Sequence, residues 1–158
     1  MAYGYAASGQ RAFDQNRLSK GKRVSAIGAL GLNGMVASMT FEGTLNSNLF
    51  LYFIEHFLKP HLDQETVLIL DNASPHKTQK VRELLEETGA IVLFLPPYCP
   101  DMNPIEYVWA RAKQIFREKK PRTIEELYDT WEEALKLIDE HLAKRCFQHC
   151  GLYNPNLN

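Results

Sequence analysis

Apolar and polar positions alternate along this chain in two distinct rhythms. "RVSAIGALGLNGMVASMTFEG" holds two short apolar runs around Leu32-Asn33-Gly34, and Asn-Gly between such runs predicts a β-hairpin turning at that dipeptide. Beyond it the period lengthens. With Asn46 as cap, Leu49, Phe50, Phe53, Ile54 and Phe57 fall on one stripe, predicting a helix to about Leu58 that Pro60 ends. "TVLIL" (66–70) and "AIVLFL" (90–95) are continuous apolar runs, which predicts strands buried on both faces. Between them Ser74 offers a cap and Pro75 a first helical position, predicting a helix to Thr88 that Gly89 stops. Strand, helix and strand in this order predict a right-handed parallel crossover.

"PPYCPDM" (96–102) reads as a stiff loop. Asn103 opens a further helix, with Pro104 at its first position and Ile105, Val108, Trp109, Ala112, Ile115 and Phe116 apolar as far as about Lys119. At this spacing Trp109, like Trp131 further on, reads as a packing residue. Pro121 breaks the chain, and a Thr123/Glu126 capping box opens one or two last helices. Residues 1–23 mix Gly, Ser, Ala and Tyr with basic residues and read as a loop or edge segment. No repeat or low-complexity linker interrupts the chain, so residues 1–158 are expected to form a single α/β domain with a helical C-terminal end.

Composition narrows the function classes. The chain is 45% apolar and 23% charged with a net charge of −1, so any nucleic-acid contact must come from local patches. Three cysteines without framework spacing suit a reducing compartment. The N-terminus lacks the apolar run of a signal peptide, and the longest apolar runs are too short to span a bilayer. The expectation is a protein of the cytosol without membrane contact.

Asp71 ends the first buried run. Carboxylates at the carboxyl end of a parallel strand sit where ligands collect in open α/β sheets, and they suit a hard divalent cation. "DNASP" is also good turn chemistry, so a capping role for Asp71 stands beside this. Glu106, on the first turn of the helix opened by Asn103, is the candidate partner; the alternative is a capping box with Asn103. Two such carboxylates could share a pair of metal ions. Asn72 and His76 are candidates for supporting Asp71 from behind, the alternative for His76 being a helix-start histidine with no special role. Lys77 is a candidate phosphate contact, the alternative being a solvated lysine. "WARAKQIFREKKPR" (109–122) carries six basic residues and one acidic, making Arg111 and Lys113 candidate DNA-backbone contacts, with a solvated helix end as the alternative. "RLSKGKR" (17–23) could face DNA in the same way. Cys146, His149 and Cys150, with His141 upstream, lack the paired-cysteine spacing of a zinc knuckle, which argues against zinc.

"LILDNASPHK" followed by "LFLPPYCPDMNPIEYVWARAK" resembles the catalytic core of DDE transposases, nearest the mariner-related superfamily and its bacterial insertion-sequence relatives. Thirty-four residues lie between Asp71 and Glu106, as in one branch of that superfamily. "YGYAASGQRA" and "MTFEGTLNSNLF" extend the resemblance over nearly the whole chain. It implies an RNase H-like fold, a mixed central sheet flanked by helices. It further implies cleavage and strand transfer of transposon-end DNA by a two-metal mechanism using Mg²⁺ or Mn²⁺, with double-stranded DNA of transposon ends and target as partner, in the bacterial cytosol or nucleoid. Asp71 matches the second aspartate of the family and Glu106 its third acidic residue. The first aspartate has no counterpart, because Asp14 follows the tyrosine-and-glycine segment that the family's aspartate precedes. The expectations that follow are an N-terminally incomplete domain without its first, central strand and without a helix-turn-helix, weak metal binding, and impaired cleavage. Exposed strand edges would then favour a homodimer, by strand exchange. Two alternatives stand beside this: a non-catalytic remnant that self-associates or binds DNA, and another RNase H-like nuclease.

Overall fold

The computed structural model describes residues 23–156. The Asn-Gly region does form a hairpin, β1 (Val24–Gly31) with β2 (Gly34–Glu42), antiparallel and shifted in register between Ala29 and Leu30. The turn lies one residue earlier than expected. Gly31 pairs with Gly34 across a Leu32-Asn33 loop, and the positive φ falls on Gly34, at 123°. A Cβ at Gly34 would also meet the carbonyl oxygen of Ile138 at 2.9 Å, so glycine is needed there twice over.

Asn46 caps α1 (Ser47–Phe53) as expected, its side-chain oxygen accepting from the Leu49 N–H at 2.9 Å. The helix then widens to a π-turn over Ile54–Leu58 and tightens to a 3₁₀ turn over Lys59–His61. The wide turn alters the expected stripe. Phe57 swings out to 36% exposure, while Leu58 joins Phe50, Phe53 and Ile54 in the core.

β3 (Val67–Leu70) and β4 (Ile91–Phe94) pair in parallel, Val67 with Ile91 through Leu70 with Phe94. Their crossover corrects the expected single helix. A 3₁₀ turn over Ser74–Lys77 ends at Thr78, whose backbone is extended, and α2 spans only Gln79–Glu86. Thr78 is the cap, its hydroxyl accepting from the Val81 N–H; Ser74 makes no such bond. Neither strand is buried on both faces as its composition suggested. Leu68, Leu70 and Val92 pack into the core with Ile27, Phe53, Val81 and Leu85. On the opposite face of the pair, Val67, Ile91 and Leu93 are each half exposed, at 50%, 55% and 51%.

α3 (Pro104–Lys119), α4 (Ile124–Lys136) and α5 (Glu140–His149) form the helical end. One half of the expected Thr123/Glu126 capping box forms, the Thr123 hydroxyl accepting from the Glu126 N–H, while the Glu126 carboxylate reaches past the cap to the Arg122 N–H. Val108 of α3 packs with Ile138 and Cys146, and Trp109 stacks on Trp131 at 5.5 Å between ring centroids. α3 lies close against β1. A Cβ on Gly28 would sit 3.0 Å from the Trp109 ring, so glycine admits the helix and fixes the height of Glu106, one turn before that tryptophan. Among the described residues the four strands form two separate two-stranded sheets, β1-β2 and β3-β4. None of the described helices is long and apolar enough to cross a membrane.

Candidate functional site

Asp71 follows the last residue of β3 and is half buried. Its Oδ1 accepts from the Ala73 N–H at 3.0 Å, so the turn role foreseen for "DNASP" is real. The same oxygen lies 2.7 Å from Nδ1 of His76. That distance suits a hydrogen bond, yet the oxygen sits off the direction of the ring N–H, leaving Nδ1 buried without a well-aligned partner. His76 is itself 9% exposed, its ring held 4.1 Å from that of Phe50. His76 thus connects the carboxylate to the α1 core. Its proximity holds the Asp71 carboxyl below the ordinary carboxylate range, outweighing the upward push of burial, and the Ala73 amide adds to the effect.

Glu106 lies on the first turn of α3. The capping box that would explain it structurally is not formed: the Asn103 side chain makes no capping bond, and only the backbone N–H of Glu106 reaches the Asn103 carbonyl. Within the described residues the Glu106 carboxylate has neither a hydrogen-bond nor an ion-pair partner.

Asp71 and Glu106 line the same two cavities. Asp71, Asn103 and Glu106 line both a cleft of about 480 Å³, shared with Asn72, Lys77 and the proline loop, and a narrower groove of about 240 Å³, shared with His76. Asp71, Glu106, Asn72, His76 and Lys77 are therefore brought together. Arg111 and Lys113 are not. They sit on the exposed flank of α3, Arg111 donating to the Gln114 side chain at 2.8 Å, and neither lines the cleft. Sequence reasoning treated Asn103 only as a cap, whereas it lines the site; its pairing with Pro104 concealed this. It also missed Tyr98, fully exposed on the cleft wall with φ of 60°, for which two prolines before an unusual turn were the available hint.

Among the described residues no three His, Cys, Asp or Glu side chains gather as a metal cluster. Asp14 and residues 17–22 of the basic "RLSKGKR" lie outside the described residues. Cys146 and Cys150 do not suggest zinc. Burial pushes both thiols up, Cys150 Sγ faces the Asp101 carbonyl oxygen, and His149 packs edge-on against Tyr107. At the cleft the donor set is different: two hard carboxylates, one of them unpartnered and the other kept ionised. Such donors fit Mg²⁺ or Mn²⁺, which take one or two carboxylates and complete their shell with water and phosphate.

Residues 1–128 match the family described as DDE superfamily endonuclease. No curated protein matches the chain. Among solved structures, a pre-cleavage Mos1 transpososome superimposes with a TM-score of 0.75 at 19% identity over 94% of this chain and 47% of that one. The Mos1 mariner paired end complex with Mn gives 0.73 at 21% identity, over 94% and 47%. The Mos1 transposase catalytic domain with raltegravir and Mg gives 0.71 at 20% identity, over 85% of this chain and 73% of that one. This chain therefore spans about half the length of the transposase in the first two. At such identity the likeness establishes the fold, the RNase H-like fold of the transposase catalytic domain. With the family matched over most of its length, the chain belongs to the DDE superfamily endonucleases.

Proposed function

We propose that this chain acts as a transposase catalytic domain of the mariner-related type, with Asp71 and Glu106 holding Mg²⁺ or Mn²⁺ against a phosphate of double-stranded DNA. The observation that carries this reading is that these two residues, from different elements, line one cleft together with Lys77. A divalent cation bound there supplies Lewis acidity toward the phosphate oxygens, and a pair of ions would serve both attacking and leaving oxygens. The chain's own residues do the rest. His76 fixes the Asp71 rotamer from the core side, and the depressed pKa keeps that carboxylate charged. Glu106 stands ready because no other described side chain engages its carboxylate. Lys77 is exposed at the cleft and can pair with a phosphate without reading sequence. Arg111 and Lys113 would meet the backbone farther along the duplex.

The described residues bring two carboxylates to the cleft, and a divalent cation held by this pair alone is expected to bind weakly. A second reading follows from the same count: a non-catalytic member that binds DNA and self-associates. Mn²⁺ titration followed by electron paramagnetic resonance, with nicking of plasmid and transposon-end DNA alongside, separates them. Weak Mn²⁺ binding that Asp71→Ala and Glu106→Gln each reduce at least ~10-fold supports the metal site. Binding unchanged by both substitutions would overturn it. DNA binding without any nicking would favour the second reading.

A further inference from the structure

The cations of α3 are sorted by face. At 3.6 residues per turn, Lys113, Arg117 and Lys120 all fall within about 40° of the direction of Glu106. All three are exposed. Arg111 and Lys119 fall outside this line and are engaged within the chain, Arg111 by the Gln114 side chain and Lys119 by the Glu133 carboxylate of α4. Glu118, the other acid of α3, also lies off the line and accepts a hydrogen bond from Gln114. Beyond Glu106 the line therefore reads Ala110, Lys113, Arg117 and Lys120, one small residue and three cations. Lys120 adds a separate observation. It closes α3 in the left-handed region, at φ of 50°, where glycine is the usual residue and a side chain is strained. Cations near a helix C-terminus complement its dipole, but that effect is indifferent to face and does not reach Lys113 in mid-helix.

We propose that Lys113, Arg117 and Lys120 form a rail for the sugar–phosphate backbone of double-stranded DNA, so that a duplex held at Asp71 and Glu106 leaves the cleft along α3 toward its C-terminal end. The inference takes its starting point from the metal-site reading of Glu106 and adds the path of the DNA. The spacing suits this ligand. Lys113 and Lys120 are about 10 Å apart along the helix axis. One strand of B-DNA offers a phosphate every ~3.4 Å of its axis, so a duplex laid along α3 brings about three successive phosphates to three cations. The small Ala110 lets the duplex approach the helix between Glu106 and the first lysine. Such contacts set the direction of the duplex without reading its sequence. The strained backbone at Lys120 is then explained by what its side chain holds.

The test uses the whole chain and two duplexes of unrelated sequence. Binding is followed by fluorescence anisotropy over a KCl series in EDTA, so that no metal takes part. Replacing Lys113, Arg117 and Lys120 together by glutamine should reduce the slope of log K against log[KCl] by about 2–3 on both duplexes. Replacing Lys119, Lys136 and Lys144 by glutamine makes the same change in net charge off the line and should reduce it by less than about 1. Equal reductions in the two variants, or an unchanged slope in the first, would overturn the proposal, as would a parent chain that binds neither duplex. Lys120→Gly separates rail from cap. It should weaken binding about 5–10-fold near ~0.1 M salt while the melting temperature holds or rises, because glycine fits the left-handed position. Unchanged binding, or weaker binding with a lower melting temperature, would remove Lys120 from the rail. Mn²⁺ binding is titrated separately on the unaltered chain. A rail found where Mn²⁺ fails to bind would stand as a DNA surface, and the metal-site reading alone would fall.

Discussion

The two strand pairs of this protein have opposite economies. β1 and β2 are antiparallel, joined by two residues, and rich in small or weakly apolar side chains, yet the hairpin is anchored by Gly28 against Trp109 and by Gly34 against Ile138. β3 and β4 are parallel, joined through α2, and almost wholly aliphatic, yet one face stands half exposed. The more hydrophobic pair is the less covered one. Hydrophobicity records what a strand would gain by burial, and the surroundings decide how much of that gain is realised. The pair that carries Asp71 is also the one with apolar surface left to offer.

Substitutions can sharpen this contrast. The largest effect is expected in the core that both pairs share: Phe53→Ala, at 1% exposure, should cost about 3–5 kcal/mol in denaturant unfolding. Ile91→Ala, at 55% exposure on the parallel pair, should cost less than about 0.5 kcal/mol. Equal losses would contradict the difference in cover. In the hairpin, Gly34→Ala should cost about 1–2 kcal/mol, because alanine tolerates neither the positive φ nor the nearby Ile138 oxygen. A neutral result there would mean the turn can be rebuilt freely.

The uncovered face makes a separate expectation about assembly. Val67, Ile91 and Leu93 form an apolar surface suited to self-association. Light scattering should show a concentration-dependent dimer that Leu93→Lys disperses; a monomer at all concentrations would remove this role from the face. The smallest effect concerns pH. Asp71 has a lowered pKa, so the stabilisation from its contact with His76 is fully present above the ordinary carboxylate range and lost as pH falls through the lowered value. Carboxyl NMR should show Asp71 titrating below its usual range in the parent protein and moving up in His76→Phe. Coincident titrations would show that His76 does not act on the carboxylate.

Much of this was legible in the sequence, for reasons that can be named. Asn46 and Thr123 cap where expected because a side-chain oxygen three residues before a free N–H is a local geometry. The parallel crossover and the convergence of Asp71 with Glu106 could be read because strand, proline loop and acidic helix start follow one another closely. What failed depended on distant surroundings or on a competing cap. Thr78 displaced Ser74 because the chain extends at Thr78 and its hydroxyl meets the Val81 N–H. Burial of β3 and β4 was misjudged because no local pattern says how many neighbours a sheet will have. Arg111 and Lys113, expected along α3 from Glu106, are exposed on that helix outside the cleft, where helical spacing alone would put them.

The widened turn over Ile54–Leu58 has a consequence for chain length. A π-turn holds one residue more than the α-turn it replaces. The segment therefore carries slack, and an exposed residue such as Glu55 could be deleted without unseating the helix. Leu58 would then fall three positions after Ile54, still on the stripe that faces the core. A one-residue deletion, ruinous in the strand that leads to Asp71, should here leave a shorter and more regular helix.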